Sequence, residues 1–143
     1  MVRFVSSSPE ETMSIGEKIA RGLKKGSIVA LRGGLGAGKT CLTKGIARGL
    51  GILEEVTSPT YTIISEYSTG NNSPSLPFYH IDAYRLKGDD DFEALGGNEC
   101  IYGEGISVIE WSERLPLSIP PSAIIIEIAL LDHGRRSIDL EEP

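Results

Sequence analysis

The chain has 143 residues and a formal net charge of −6, with 20 acidic side chains against 14 basic ones. This length allows one domain, residues 1–143, with a real core and little room for a separate lid over a substrate. The acidic balance disfavours direct binding of nucleic acid, because contacts to phosphates need a basic surface.

Cysteine content and hydropathy indicate the cellular compartment of the protein. The two cysteines, Cys41 and Cys100, suggest no disulfide framework. Residues 1–11 lack the apolar centre of a signal peptide, and the strongest apolar run, residues 123–131, is too short to span a bilayer. These features favour a cytoplasmic protein that does not associate with a membrane.

The first half of the chain predicts a strand, a helix, a second strand and a second helix. Residues 2–5 fit a short edge strand, and Ser8-Pro9-Glu10-Glu11 fits an N-cap, a first-turn proline and a capping-box glutamate. The helix that follows is expected to end at Gly26. Residues 28–31 predict a buried strand, and apolar residues then recur at helical spacing up to Gly51, a candidate C-cap: Leu42, Ile46 and Leu50.

The second half predicts mainly strands. Residues 61–67 and 78–82 are strand-like, and the Gly-, Asn-, Ser- and Pro-rich segment between them predicts a hairpin with a flexible tip. A short helix over 89–95 and a strand over 106–110 follow, and residues 123–131 and 135–140 predict a closing hairpin. The predicted fold is α/β, a P-loop NTPase-like three-layer sandwich whose mixed, mainly parallel sheet has antiparallel additions.

The segment GGLGAGKT, residues 33–40, matches the phosphate-binding pattern GxxxxGK[ST] between a predicted strand and a predicted helix. Backbone N–H groups of such a loop surround phosphate oxygens, and the helix N-terminus adds partial positive charge. Lysine would reach the β- and γ-phosphates, and threonine would coordinate Mg²⁺. The predicted nucleotide-binding residues here are Gly33, Gly34, Leu35, Gly36, Ala37, Gly38, Lys39, Thr40 and Cys41.

Two apolar strands end in acids, Asp82 in FYHID and Glu110 in ISVIE. If both strands run parallel to the strand before the Gly-rich loop, both carboxylates converge on the γ-phosphate and its metal. The segment of residues 57–60 would reach the same sheet edge. Alone, strand-terminal acids are more often turn-formers or rim charges. His80 and Trp111 are also expected to be structural residues, because a lone histidine is more often structural than catalytic and burial alone explains the tryptophan.

Four segments in this order, LRGGLGAGKT, TSPTYT, HIDAYRL and IEWSERL, resemble the bacterial TsaE (YjeE) family of small ATPases. The resemblance covers nearly the whole chain. It implies hydrolysis of ATP with Mg²⁺ in support of the tRNA modification threonylcarbamoyladenosine. The implied partner is the TsaB–TsaD heterodimer, with tRNA contacted only indirectly.

The family's roles can be assigned where the residues agree. The resemblance implies Lys39, Asp82 and Glu110 as catalytic residues, with Thr40, Glu110 and Asp82 at the metal. It further implies a switch-like Thr60 near the γ-phosphate and base or ribose contacts from Thr12 and Arg135. Ser112 and Cys41 depart from residues that the family often has, a proline and a threonine.

Two other classes remain open at this stage. A small-molecule or nucleotide kinase shares the loop and the size, but it needs an arginine-bearing lid and a basic acceptor site, and the basic residues here are scattered. A nucleotide-dependent switch would use hydrolysis only for timing. The guanine-reading pattern NKxD is absent from the sequence, which favours adenine.

Overall fold

The computed structural model describes residues 1–34, 36–57, 63–70 and 75–143. Within these ranges the elements follow in the order β1 (Val2–Ser6), α1 (Pro9–Ala20), β2 (Ile28–Arg32), α2 (Lys39–Gly49), β3 (Ile64–Ser68), β4 (Pro77–Asp82), α3 (Asp89–Ala94), α4 (Gly97–Ile101), β5 (Ile106–Glu110), β6 (Ile124–Leu130) and β7 (Arg136–Glu141). Short 3₁₀ turns at Ser112–Arg114 and Asp132–Gly134 follow β5 and β6.

The described strands form one sheet in the order β1-β7-β6-β2-β5-β4-β3. The four central strands, β6, β2, β5 and β4, run parallel, whereas the β1–β7, β6–β7 and β3–β4 pairs are antiparallel. This arrangement confirms the predicted fold class. Because parallel strands end at the same edge of a sheet, the loop after β2 emerges beside the ends of β4 and β5.

Elements pack against both faces of the sheet. Val29 and Leu31 of β2 belong to one core with side chains of α1 and α2. Ile28 belongs to a second core, which includes Phe92 of α3 and Ile101 of α4. Since the central strands are buried on both faces, β2 and β5 are nearly continuous apolar runs rather than alternating ones. The molecule therefore has three layers.

Helices α1 and α2 approach each other closely because glycines line their contact. A Cβ atom on Gly45 would lie 2.2 Å from the carbonyl oxygen of Met13, and one on Gly16 would lie 2.6 Å from the carbonyl oxygen of Leu42. Both distances are shorter than any van der Waals contact. This packing fixes the position of α2, whose N-terminus follows the Gly-rich loop.

The ends of α1 agree only partly with the prediction. The Ser8 hydroxyl accepts a hydrogen bond from the Glu11 backbone N–H at 3.1 Å, as expected for an N-cap. The Glu11 carboxylate, however, accepts from the N–H of Ser7 at 2.8 Å. The predicted end at Gly26 was wrong, because the helix ends at Ala20 and tight turns continue the chain. Gly26 instead adopts φ 85° in the turn before β2.

The remaining elements follow the predictions with a few differences. The β3–β4 hairpin and the β6–β7 hairpin are both present. The start of the predicted strand at residues 61 and 62, and residues 71–74 of the hairpin tip, lie outside the described residues. Helix α4 was not predicted. Among the described helices, none combines the length and the apolar content that a bilayer-crossing segment needs.

Candidate nucleotide site

The Gly-rich loop joins β2 directly to α2. Gly36 and Gly38 have φ angles of 73° and 109°, which side chains of L-residues rarely allow. Helix α2 begins at Lys39, and its first turn carries no acidic side chain. The unpaired N–H groups and the positive dipole end of this helix therefore lie at the loop, where they favour an anion. Leu35 lies outside the described residues, and the Ala37 side chain is buried in the core.

The Lys39 ammonium lies inside the loop, and Lys39 as a whole is only 5% exposed. Its Nζ donates to the carbonyl oxygens of Gly33 at 2.6 Å and Gly34 at 2.8 Å. It also lies 3.9 Å from the centre of the Trp111 ring. Burial lowers the pKa of this amine, whereas the nearby Glu110 opposes that shift. The loop thus holds the cation with two neutral carbonyl acceptors.

Thr40 and Glu110 are directly connected. The Thr40 hydroxyl lies 3.0 Å and 3.2 Å from the two carboxylate oxygens of Glu110, to which it donates. Glu110 is 3% exposed, so its carboxylate depends on hydrogen bonds such as those from Thr40 for stabilisation. Asp82 lies opposite Glu110 in the β4–β5 register. The predicted convergence of the two strand-terminal acids at one sheet edge is therefore present.

The two strand-terminal acids have different surroundings. The Asp82 carboxylate accepts a hydrogen bond from the Tyr84 backbone N–H at 3.0 Å. Glu110 has a second partner in addition to Thr40, because its Oε2 contacts Nε2 of His80. His80 was expected to be a structural residue, and it is completely buried. In the sequence, His80 stands two residues before Asp82, so both side chains lie on one face of β4. This spacing is the signal that could have pointed to the contact between His80 and Glu110.

Residues 111–113 fasten the end of β5 to the start of the Gly-rich loop. Trp111 has φ 60° and ψ 38°, a left-handed conformation that turns the chain immediately after Glu110. The buried Ser112 hydroxyl donates to the Leu31 carbonyl oxygen at 3.1 Å. Glu113 accepts from the Gly33 N–H at 3.3 Å. Sequence reasoning expected only packing from Trp111, whereas its ring lies against the Lys39 ammonium.

On the opposite side of β2, the loop contacts Arg136 at the start of β7. The Nη2 atom of Arg136 donates to the Gly36 carbonyl oxygen at 3.2 Å. Its side chain also covers Gly38, where a Cβ atom would lie 3.3 Å from the arginine Cδ. Arg135, the predicted contact, is exposed, and its Nε donates to the Asp132 carbonyl oxygen at 3.4 Å. Neighbouring residues of an extended chain point in opposite directions, and here Arg136 is the one that faces the loop. The base or ribose contact of Arg135 stays a prediction.

The remaining predicted contacts lie near the start of α1 or outside the described residues. Thr12 is 1% exposed, and its hydroxyl is hydrogen-bonded to the Ser6 hydroxyl at 2.7 Å. The Cys41 thiol donates to the Pro9 carbonyl oxygen at 3.4 Å, and burial raises its pKa. The structure thus brings the first turns of α1 and α2 together. Thr60 is among the residues that are not described.

A strand, a Gly-rich loop and a helix, beside two acids that end parallel strands, define a protein with the P-loop NTPase-like fold. The family model described as threonylcarbamoyl adenosine biosynthesis protein TsaE matches residues 6–138. The chain belongs to the TsaE family.

Individual relatives and a solved structure are similar to the chain over most of its length. The chain is 44% identical to the tRNA threonylcarbamoyladenosine biosynthesis protein TsaE of Treponema pallidum, over 96% of the chain and 98% of the relative. It is 42% identical to the protein of the same name from Bacillus subtilis, over 96% of the chain and 83% of the relative. A crystal structure of YdiB from Bacillus subtilis superposes with a TM-score of 0.79 at 35% identity and covers 99% of the chain and 84% of that protein.

Proposed function

We propose that the protein is a Mg²⁺-dependent ATPase that supports the biosynthesis of threonylcarbamoyladenosine in tRNA. It acts in the cytoplasm on a TsaB–TsaD transferase complex, and it hydrolyses ATP weakly without that complex. Membership in the TsaE family supports the role in tRNA modification. The chemistry is supported by the residues around the Gly-rich loop.

The contact between Thr40 and Glu110 carries the proposal of ATP hydrolysis. A hydroxyl at the first turn of a P-loop helix is a magnesium ligand, and a nearby carboxylate holds the metal directly or through water. Here the hydroxyl already donates to the carboxylate at 3.0 Å. Lys39 is the adjacent residue in α2 and would bind the β- and γ-phosphates once they replace the Gly33 and Gly34 carbonyls.

The donor set fits Mg²⁺ rather than a metal bound wholly by protein. Hydroxyl and carboxylate oxygens are hard ligands, and Mg²⁺ usually retains water and substrate phosphate oxygens. When bound, the metal would neutralise charge on the phosphates. Thr40, Glu110 and Asp82 are the proposed holding residues.

Asp82 is the proposed orienting residue for the attacking water. It lies beside Glu110 in register but is only partly buried. Among the described residues its carboxylate accepts a hydrogen bond from the Tyr84 backbone N–H, and a carboxylate can accept further hydrogen bonds from water. Glu110, in contrast, is occupied by Thr40 and His80. The two acids can therefore have partly separate roles: both are proposed to hold the metal, and Asp82 would in addition orient the attacking water.

The charge of the chain supports an indirect relation to tRNA. A net charge of −6 disfavours contact with phosphate backbones, so the partner complex is proposed to bind the tRNA. Hydrolysis would then drive a conformational step of that complex rather than modify the tRNA itself.

Reconstitution of tRNA modification over multiple turnovers, with and without the protein, tests this function. We expect the wild-type protein and Lys18→Ala, an exposed change in α1, to support repeated turnover. Lys39→Ala should support none, because nucleotide binding is lost. Equal turnover with and without the wild-type protein would refute the role in tRNA modification. Unchanged ATP affinity of Lys39→Ala in calorimetry would refute the assignment of the nucleotide site.

A further inference from the structure

His80 is a polar side chain in an apolar layer. It lies in the middle of β4 with no exposed surface, and Phe78 and Val108, on the same face of the sheet, are equally buried. Its Nδ1 atom is buried without a hydrogen-bond partner in the described residues. A buried nitrogen without a hydrogen-bond partner destabilises the fold, because it has lost its bonds to water and gained none in return. A leucine would therefore suit this position better if packing were its only role.

The other ring nitrogen of His80 contacts the Glu110 carboxylate. His80 is in register with Val108, so it lies diagonally across from Glu110 on the neighbouring strand. A long or aromatic side chain can reach such a diagonal neighbour. Nε2 of His80 contacts Oε2 of Glu110. Thr40 approaches the same carboxylate from α2 and is closer to Oε1, at 3.0 Å, than to Oε2, at 3.2 Å.

These contacts hold the Glu110 carboxylate between two donors from different layers. His80 occupies one oxygen from the sheet, so the other oxygen is directed toward Thr40 at the start of α2. Without His80, the carboxylate could rotate about its terminal bond, since such torsions have broad preferences. Partners of this kind orient metal-holding groups, and their loss typically costs about 10–100-fold in metal affinity or activity.

We propose that His80 is a positioning residue that orients Glu110 so that Mg²⁺ can be held beside Thr40. This inference rests on the proposed function for the identity of the metal, but it does not require hydrolysis to be measurable. The hydrogen-bond partner of His80 is Glu110, whereas Lys39 is the residue bonded to the Gly-rich loop; His80 acts through that carboxylate. It therefore sets the response of the site to the metal, while Lys39 and the loop set affinity for the nucleotide itself.

Calorimetric binding of ADP, with Mg²⁺ and with a chelator in place of Mg²⁺, measures this response without turnover. For the wild-type protein we expect tighter ADP binding when Mg²⁺ is present. In His80→Leu the increase in ADP affinity caused by Mg²⁺ should be about tenfold smaller, while the affinity for ADP in the presence of the chelator should be unchanged. His80→Gln, whose side-chain amide can donate from nearly the same position, should retain the gain. Phe78→Leu, a change in the core of the same strand, should lower the melting temperature and retain the gain.

A double-mutant cycle tests whether His80 acts through Glu110. In a Glu110→Gln background, adding His80→Leu should cause no further loss of the Mg²⁺ effect. His80→Asn keeps a side-chain amide that is too short to reach Glu110, and it should behave like His80→Leu. The proposal is overturned if His80→Leu and His80→Asn keep the wild-type gain, or if His80→Gln loses it as well. Absence of any ATP hydrolysis by the wild type would refute the proposed function and leave this test intact.

Discussion

The close contact between α1 and α2 predicts that Gly45→Ala destabilises the protein. The added Cβ would lie 2.2 Å from the Met13 carbonyl oxygen and 2.8 Å from the Met13 Cα atom. Unstrained carbon–oxygen contacts begin at about 3.3 Å, so the helices would have to separate by about 1 Å at this point. The obstructing atoms belong to the backbone and cannot rotate away.

The expected loss can be worked out from two opposing terms. Overpacking costs about 1–3 kcal/mol, and we take the upper value because backbone obstructs the methyl group. Replacing glycine by alanine in a helix recovers about 1 kcal/mol of helix propensity. The net destabilisation is about 2 kcal/mol, which corresponds to a melting temperature lower by about 4–8 °C for a chain near this size.

Thermal unfolding followed by circular dichroism measures this effect. The matched control is Gly88→Ala, since a Cβ there has no atom within 4 Å and should change the melting temperature by less than about 2 °C. ADP affinity should fall in Gly45→Ala, because α2 carries Lys39 and Thr40 at its start. If Gly45→Ala melts as the wild type does, the close contact between the helices is not what positions α2.

Three further predictions concern the candidate site. Arg136→Ala should weaken ADP binding about tenfold, whereas Arg135→Ala should leave it unchanged; the reverse order would favour the contact predicted from sequence. Asp82→Asn should slow ATP hydrolysis by about a hundredfold while ADP affinity in calorimetry stays the same, and full turnover would exclude Asp82 from the chemistry. Because burial raises its pKa, the Cys41 thiol should ionise at higher pH than a free cysteine. In a Cys100→Ala background, alkylation of Cys41 with iodoacetamide at pH 8 should therefore be slow, and rapid alkylation would contradict the burial.

The parts of the site that sequence could predict depend on local pattern and strand direction. Asp82 and Glu110 each end an apolar run, and parallel strands that end at one edge bring such residues together. The Gly-rich loop is recognisable because its glycines, lysine and threonine are consecutive in the chain. These features need no knowledge of side-chain packing, so the sequence reasoning and the structure agree on them.

The contacts that sequence missed depend on tertiary geometry. The β4–β5 register decides whether His80 only packs in the core or also contacts Glu110. The sequence of one strand does not contain this register. The contact of Arg136 with the Gly-rich loop depends on where β7 begins and which way its first side chain points, whereas the base or ribose contact of Arg135 stays a prediction. The end of α1 was misplaced because a turn-forming Gly26 is as compatible with a strand entry as with a helix C-cap.

The charges around Lys39 explain why a divalent cation is part of the proposed chemistry. Three carboxylates, those of Glu110, Glu113 and Asp82, lie close enough to favour the charged form of this single ammonium. A triphosphate would add further negative charge to a site that already has an excess, and repulsion between like charges opposes its binding. Arg136 lies on the other side of β2, where it donates to the Gly36 carbonyl oxygen. Mg²⁺ would offset this excess, and Glu110, which is hydrogen-bonded to Thr40 and contacts His80, is the buried carboxylate proposed to help hold it.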